Sequence, residues 1–337
     1  MKRFPWRGLL GLALTIFFLW LAFRHTNWGQ VWTDFRQTNL PLALVAVTCI
    51  TMIFPLRARR WRPILHPVAP DLPFGPLWRA TAIGMMANNL LPLRIGELVR
   101  AYALSKEDTQ PRVPFSAGFA SLFVDRVFDA VIVLVLMVGA MFAPGFPRDA
   151  IVAGKPASAW AIGGATLAAV VAGGLYAIVF FPKQFEALFA AIVRRMSPRL
   201  AERGVAMMES FANGLGVLRQ PRLFLSILFW ALLLWLAQGI GFYIMFFAVG
   251  IDAPFSAALF IQGLIVLGVA LPSSPGYFGP YEIAAIAGLS LYGVSHETAV
   301  AWALTLHILS LLPITIIGLY YMARSGTKLA QLRELHA

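Results

Sequence analysis

Residues 79–105 read RATAIGMMANNLLPLRIGELVRAYALS, and the reading of this stretch decides the fold. It begins as a membrane-type apolar helix, breaks at Leu91-Pro92, and is followed at once by Arg94, Glu97 and Arg100. Residues 267–293, LGVALPSSPGYFGPYEIAAIAGLSLYG, repeat that outline. They are apolar, break at Leu271-Pro272, and carry glycines and Glu282 just beyond. Charge and broken backbone within apolar sequence are costly unless buried in protein or lining a wet cavity. Function is therefore sought at these two breaks.

The surrounding composition is that of a membrane protein. Of 337 residues, 59% are hydrophobic and 12% charged, against about 25% charged in soluble domains. The net charge of +12 does not point to nucleic acid, because the basic residues cluster in short loops as the positive-inside rule predicts. Cys49 is the single cysteine, so no disulfide forms within the chain and no Cys/His zinc spacing exists. Met1–Phe23 has basic residues before an apolar core but no small-residue cleavage site, and reads as a retained first helix.

Apolar runs near 8–23, 40–56, 113–142, 158–181, 223–249 and 298–323 predict six full spans. With this count the inner loops sum to +13 and the outer loops to +1, so both termini are expected in the cytoplasm. Parity then makes residues 79–105 and 255–293 either re-entrant pairs or full crossings, and the Leu-Pro breaks favour re-entrant pairs. The expected fold is all-α and polytopic, one membrane domain over 1–337. Units 40–142 and 223–323 form an inverted repeat, as in many transporters. Residues 182–222, with Phe185, Leu188, Phe189, Ile192, Val193 and Met196 at helical spacing, read as a cytoplasmic amphipathic elbow.

Arg94, Glu97 and Arg100 share roughly one helix face. Two guanidinium groups beside a half-helix N-terminus suit a phosphate. An internal ion pair closing the break is the competing reading. Asn88 and Asn89 either cap the first half-helix or offer amides to a headgroup. Asp125, Arg126 and Asp129 lie within 113–142, where Arg126 can pair with Glu97, and Asp129 with Arg94 or Arg100. Ser273, Ser274, Gly276 and Gly279 shape the second break, where close backbone approach makes them candidate substrate-binding residues, and Glu282 follows in the first turn of the next half-helix, in a dipole-favoured, substrate or proton-coupling role. A Ser274–His307 dyad has no GxSxG elbow to support it. The cluster Arg57, Arg59, Arg60 and Arg62 reads as an inside anchor beside Trp61. No metal or nucleotide motif is present, and no cofactor is expected.

The run Asn89-Leu-Leu-Pro-Leu-Arg94-Ile-Gly96-Glu97-Leu-Val-Arg100-Ala-Tyr102 resembles the first signature of the flippase-like membrane family that also forms the membrane half of lysylphosphatidylglycerol synthases. Asp125-Arg126-Val-Phe-Asp129 resembles its next element, with Asp where Glu is frequent. Pro275-Gly276-Tyr277-Phe278-Gly279-Pro280-Tyr281-Glu282 resembles its Pro-Gly-Gly element, with Tyr277 in place of the second glycine. The resemblance covers nearly the whole chain. It implies a multi-pass protein of a bacterial-type inner membrane whose partner is an anionic phospholipid or polyisoprenoid-linked lipid, moved between leaflets. Arg94, Arg100 and Arg126 would neutralise the phosphate; Glu97, Asp125, Asp129 and Glu282 would orient them or couple to protons. A membrane-embedded lipid-modifying transferase and a non-catalytic partner of a lipid-synthesis complex are the alternatives. Monomer and homodimer both fit.

Overall fold

The computed structural model describes residues 6–91, 95–152, 155–156, 162–163, 166, 170, 173, 220–270 and 275–325. Arg94, Ser273 and Ser274 lie outside these residues, as do the elbow up to residue 219 and nearly all of the run 158–181.

The described residues are helical apart from turns and a two-residue pairing of β1 (Ile151–Val152) with β2 (Lys155–Pro156). The first helices are α1 (Trp6–Phe23), α2 (Trp28–Gln37), α3 (Leu40–Thr51) and α4 (Ile53–Leu65). Helix α2 falls in a segment read as loop. Asn27 caps it by accepting from the N–H groups of Gly29 and Gln30. Helices α3 and α4 form one apolar run, Leu40–Leu65, of 26 residues. The predicted span 40–56 is thus extended by two turns, which carry Arg57 and Arg60 with it.

Next come α5 (Phe74–Leu90) and α6 (Gly96–Lys106). Helix α5 stops where Leu91 turns extended, at φ −110° and ψ 144°, the conformation a following proline imposes. Helix α7 (Phe115–Phe142) has 28 residues. Helix α8 (Pro221–Val249) ends on Gly250 in the left-handed region. Then follow α9 (Phe255–Val269), a 3-10 turn at Pro275–Tyr277, α10 (Pro280–Leu291) and α11 (His296–Arg324). Three helical runs among the described residues are long and apolar enough to cross a membrane: Leu40–Leu65, Pro221–Val249 and His296–Arg324.

Packing follows a repeated order. Helix α4 packs on α5, α5 on α6 and α6 on α7; likewise α8 packs on α9, α9 on α10 and α10 on α11. Across the two halves, α11 packs on α5, α7 on α9, and α8 on both α3 and α4. Glycines allow the close approaches. A Cβ on Gly84 would lie 2.6 Å from Arg100 Cβ and 2.8 Å from the Gly96 carbonyl, so α5 and α6 touch backbone to backbone. A Cβ on Gly268 would stand 2.9 Å from the Pro280 carbonyl, giving α9 and α10 the same intimacy. Apolar packing elsewhere is continuous. Trp302 is fully buried against Phe242 and Phe246. Arg60 and Arg100 are also among the largest fully buried side chains, and they locate the site.

Candidate functional site

Three helices, α4, α6 and α7, aim charge at one place, and α8 adds an indole N–H. On α7, Asp125 and Asp129 stand one turn apart and face α4. Asp125 takes Arg60 at 2.6 Å and Arg100 at 3.1 Å, with Arg57 at 3.6 Å. Asp129 takes Arg57 at 2.6 Å, Arg60 at 2.7 Å and Arg126 at 3.3 Å. The indole N–H of Trp235, from α8, donates to Asp129 Oδ1 at 2.9 Å. Arg126 Nη2 also donates to Glu97 Oε1 in a short ion pair. The Arg100 guanidinium lies 4.0 Å from the centroid of the Trp61 ring, a cation–π contact, and Trp61 Nε1 donates to Ser121 Oγ at 2.7 Å.

The network has a buried base and an open face. Arg60, Arg100 and Asp125 are completely buried. The Arg126 side chain is 44% exposed and that of Glu97 is 22% exposed. Four arginines meet three carboxylates among the described residues, so positive charge is in excess by one. Arg100 Nε and Nη2 and Glu97 Oε2 are buried without a hydrogen-bond partner. Unmet buried polar groups of this kind are rare and costly.

The sequence-predicted residues are only partly brought together. Of the expected pairings, Arg126–Glu97 is present, and Arg100 meets Asp125 rather than Asp129. Asn88 Oδ1 accepts the Gly96 N–H at 2.8 Å, which caps α6 across the break. Asn89 Nδ2 donates to Thr315 Oγ1 of α11 at 2.9 Å. The reading of Arg57 and Arg60 as a surface anchor is corrected: both are buried ligands of the two aspartates. Of the four arginines Arg59 alone is exposed, with its guanidinium over the Phe74 ring, and Arg62 is half-buried. The signal was available, because Arg57 and Arg60 stand three apart and Asp125 and Asp129 four apart, so each pair lies on one face of its helix.

The second break approaches this site. Its turn, Pro275–Tyr277, packs on α5, and Tyr277 lies within electrostatic range of Arg126. Gly276 has φ 73° and Tyr277 φ 63°; the left-handed region explains why glycine is the natural residue at both positions. Gly279, at φ 98°, is covered by α1, since a Cβ there would stand 2.7 Å from Phe18 Cβ. Glu282 is completely buried. Its Oε2 accepts the Gly279 N–H at 2.6 Å, and its Oε1 meets His307 Nδ1 at 2.6 Å. The His307 ring stacks on Tyr281, with centroids 3.9 Å apart. His307 is therefore engaged by Glu282.

Among known proteins, a family model described as the lysylphosphatidylglycerol synthase TM region matches residues 8–318. The chain is 27% identical to the glycosyltransferase AglD of Haloferax volcanii, over 81% of this chain and 47% of that protein; it spans about half of that relative's length. It is 24% identical to a UPF0104 membrane protein of Methanothermobacter thermautotrophicus, over 90% of this chain and 91% of that one. It is 23% identical to the UPF0104 membrane protein MJ1078 of Methanocaldococcus jannaschii, over 69% and 92% respectively. No solved structure matches it.

Proposed function

Because the chain belongs to the family of the lysylphosphatidylglycerol synthase TM region, we propose that it is a lipid transporter that moves an anionic headgroup across the membrane. The observation that carries this reading is the arginine-rich network, buried at its base and open at Arg126 and Glu97. An arriving phosphate displaces Glu97 from Arg126 and binds the guanidinium fork in its place. Asp129 retains Arg126 from behind. Arg100, buried with its Nε and Nη2 unpaired among the described residues, adds positive potential beneath it. The lipid tails stay in the bilayer while the headgroup passes. Glu282 and His307 hold the second break in shape and are the candidates for proton coupling.

In this account six helices cross, the α5/α6 and α9/α10 pairs are re-entrant, and both termini are cytoplasmic. The recurrence of one packing order in α4–α7 and in α8–α11 supports an inverted repeat. The relative named as a glycosyltransferase raises a transferase reading. Against it stands the segment 24–39, helix α2 and its flanks, whose single acid, Asp34, is engaged by Gln30 at 2.8 Å and Thr298 at 2.9 Å, so no pair of carboxylates stands there for catalysis. The test is a liposome assay with purified chain and a fluorescent phosphatidylglycerol. Redistribution between leaflets with unchanged lipid mass supports transport. A new lipid species without redistribution would replace it with the transferase.

A further inference from the structure

Three helix ends meet at the far end of the broken pair. Helix α5 begins at Phe74, α6 ends at Lys106 and α11 ends at Arg324. Between them lies a cavity of about 370 Å³, lined by Arg79, Tyr102, Lys106, Glu107, Tyr321 and Arg324 among others. One wall is fixed. Arg79 Nε donates to Glu107 Oε1 at 3.0 Å and Arg79 Nη2 to Oε2 at 2.5 Å. Trp78 Nε1 donates to the Tyr321 hydroxyl at 3.2 Å, and their rings meet edge to face.

The other two cations are not tied down. Lys106 and Arg324 are exposed and have no carboxylate partner among the described residues. Lys106 Nζ lies 5.2 Å from the Tyr102 ring centroid, and Arg324 Cζ lies 4.8 Å from that of Tyr320. Asp108 also lines the cavity, so three cations face two carboxylates. Cations at the C-terminal ends of α6 and α11 would complement the helix dipoles in any case. That role requires neither a cavity nor a third cation clamped between them.

We propose that this cavity binds the phosphate of a membrane phospholipid headgroup, as a station before Arg126. The order, cavity first and Arg126 second, rests on the transport reading; the binding site does not. Ile83 and Ala103 supply an apolar floor, and Lys106 and Arg324 close on the phosphate as two mobile donors. Nine residues of α6 separate Lys106 from Glu97, which is about 14 Å of helix rise. A headgroup leaving the cavity therefore travels one half-helix to reach the network.

The test is binding to the full chain in a neutral detergent, with three probes: dioctanoyl phosphatidylglycerol, dioctanoylglycerol and inorganic phosphate. The phosphatidylglycerol is expected to bind saturably and the other two weakly. Lys106→Gln with Arg324→Gln is expected to weaken it about tenfold, with an unchanged melting temperature, and Lys106→Arg to retain it. Because Arg126 is itself proposed to hold a lipid phosphate, the binding series is also run in an Arg126→Ala background: saturable phosphatidylglycerol binding that survives there and falls about tenfold on adding Lys106→Gln with Arg324→Gln is expected, and transport is read separately. Equal affinity with and without the double substitution in that background would overturn the proposal. So would preference for inorganic phosphate over the lipid, or binding lost in Arg126→Ala and kept in the double variant.

Discussion

Asp129→Asn is expected to destabilise the chain far more than loss of any exposed ion pair. Asp129 receives Arg57, Arg60, Arg126 and Trp235 at 2.6–3.3 Å. Asparagine keeps one acceptor but turns an amide N–H toward guanidinium groups that offer only donors. Arg60 retains Asp125, whereas Arg57 keeps only the 3.6 Å contact with it. Breaking a buried pair by removing one partner costs about 3–5 kcal/mol. At roughly 2 cal/mol/K of unfolding entropy per residue, a chain this long shifts about 1.4 °C per kcal/mol, so the midpoint falls by about 4–7 °C. Thermal unfolding in detergent, followed by size-exclusion fluorescence, reads this directly. The control is Arg79→Ala, whose partly exposed pair with Glu107 is worth about 0–1 kcal/mol. Adding Arg57→Met to Asp129→Asn removes the stranded cation and is expected to recover part of the loss. A shift in Asp129→Asn no larger than the control, or no recovery in the double variant, would refute the buried network.

Two further substitutions probe the breaks. Tyr277→Gly is expected to stabilise the second break by about 1 kcal/mol, since a left-handed conformation at φ 63° costs a side-chain-bearing residue about that much; an unchanged or lower midpoint would count against the strain. Gly84→Ala is expected to push α6 from α5 and lower stability by about 1–3 kcal/mol, because the new Cβ meets backbone as well as Arg100; a neutral result in the same unfolding assay would count against the close approach.

The all-helical membrane class was legible because apolar runs and sparse charge leave no alternative. So was the first break: a leucine before proline cannot continue a helix, and α5 ends there. The Arg126–Glu97 pair was among the pairings the spacing allowed. Two things were not read. Helix α2 falls where hydropathy indicates a loop, although Trp28, Val31, Trp32 and Phe35 have helical spacing, because its polar residues hide the stripe. Arg57 and Arg60 look like loop charge in the sequence, because α4 continues past the point where hydropathy falls. Hydropathy marks where a lipid-facing helix stops being cheap; it is blind to a helix whose charges are neutralised by another helix. The acids on α7 were visible, but their partners lie 65 to 72 residues away in sequence, and only packing joins them.

The central claim is that a lipid phosphate binds at Arg126. Removing that residue leaves Asp129 with Arg57, Arg60 and Trp235, so Arg126→Ala should fold normally. The most direct measurement is the initial rate of fluorescent phosphatidylglycerol movement between leaflets of liposomes holding equal amounts of folded wild type or Arg126→Ala. The account predicts that the rate in the variant falls to that of protein-free liposomes. A wild-type rate in folded Arg126→Ala would contradict it.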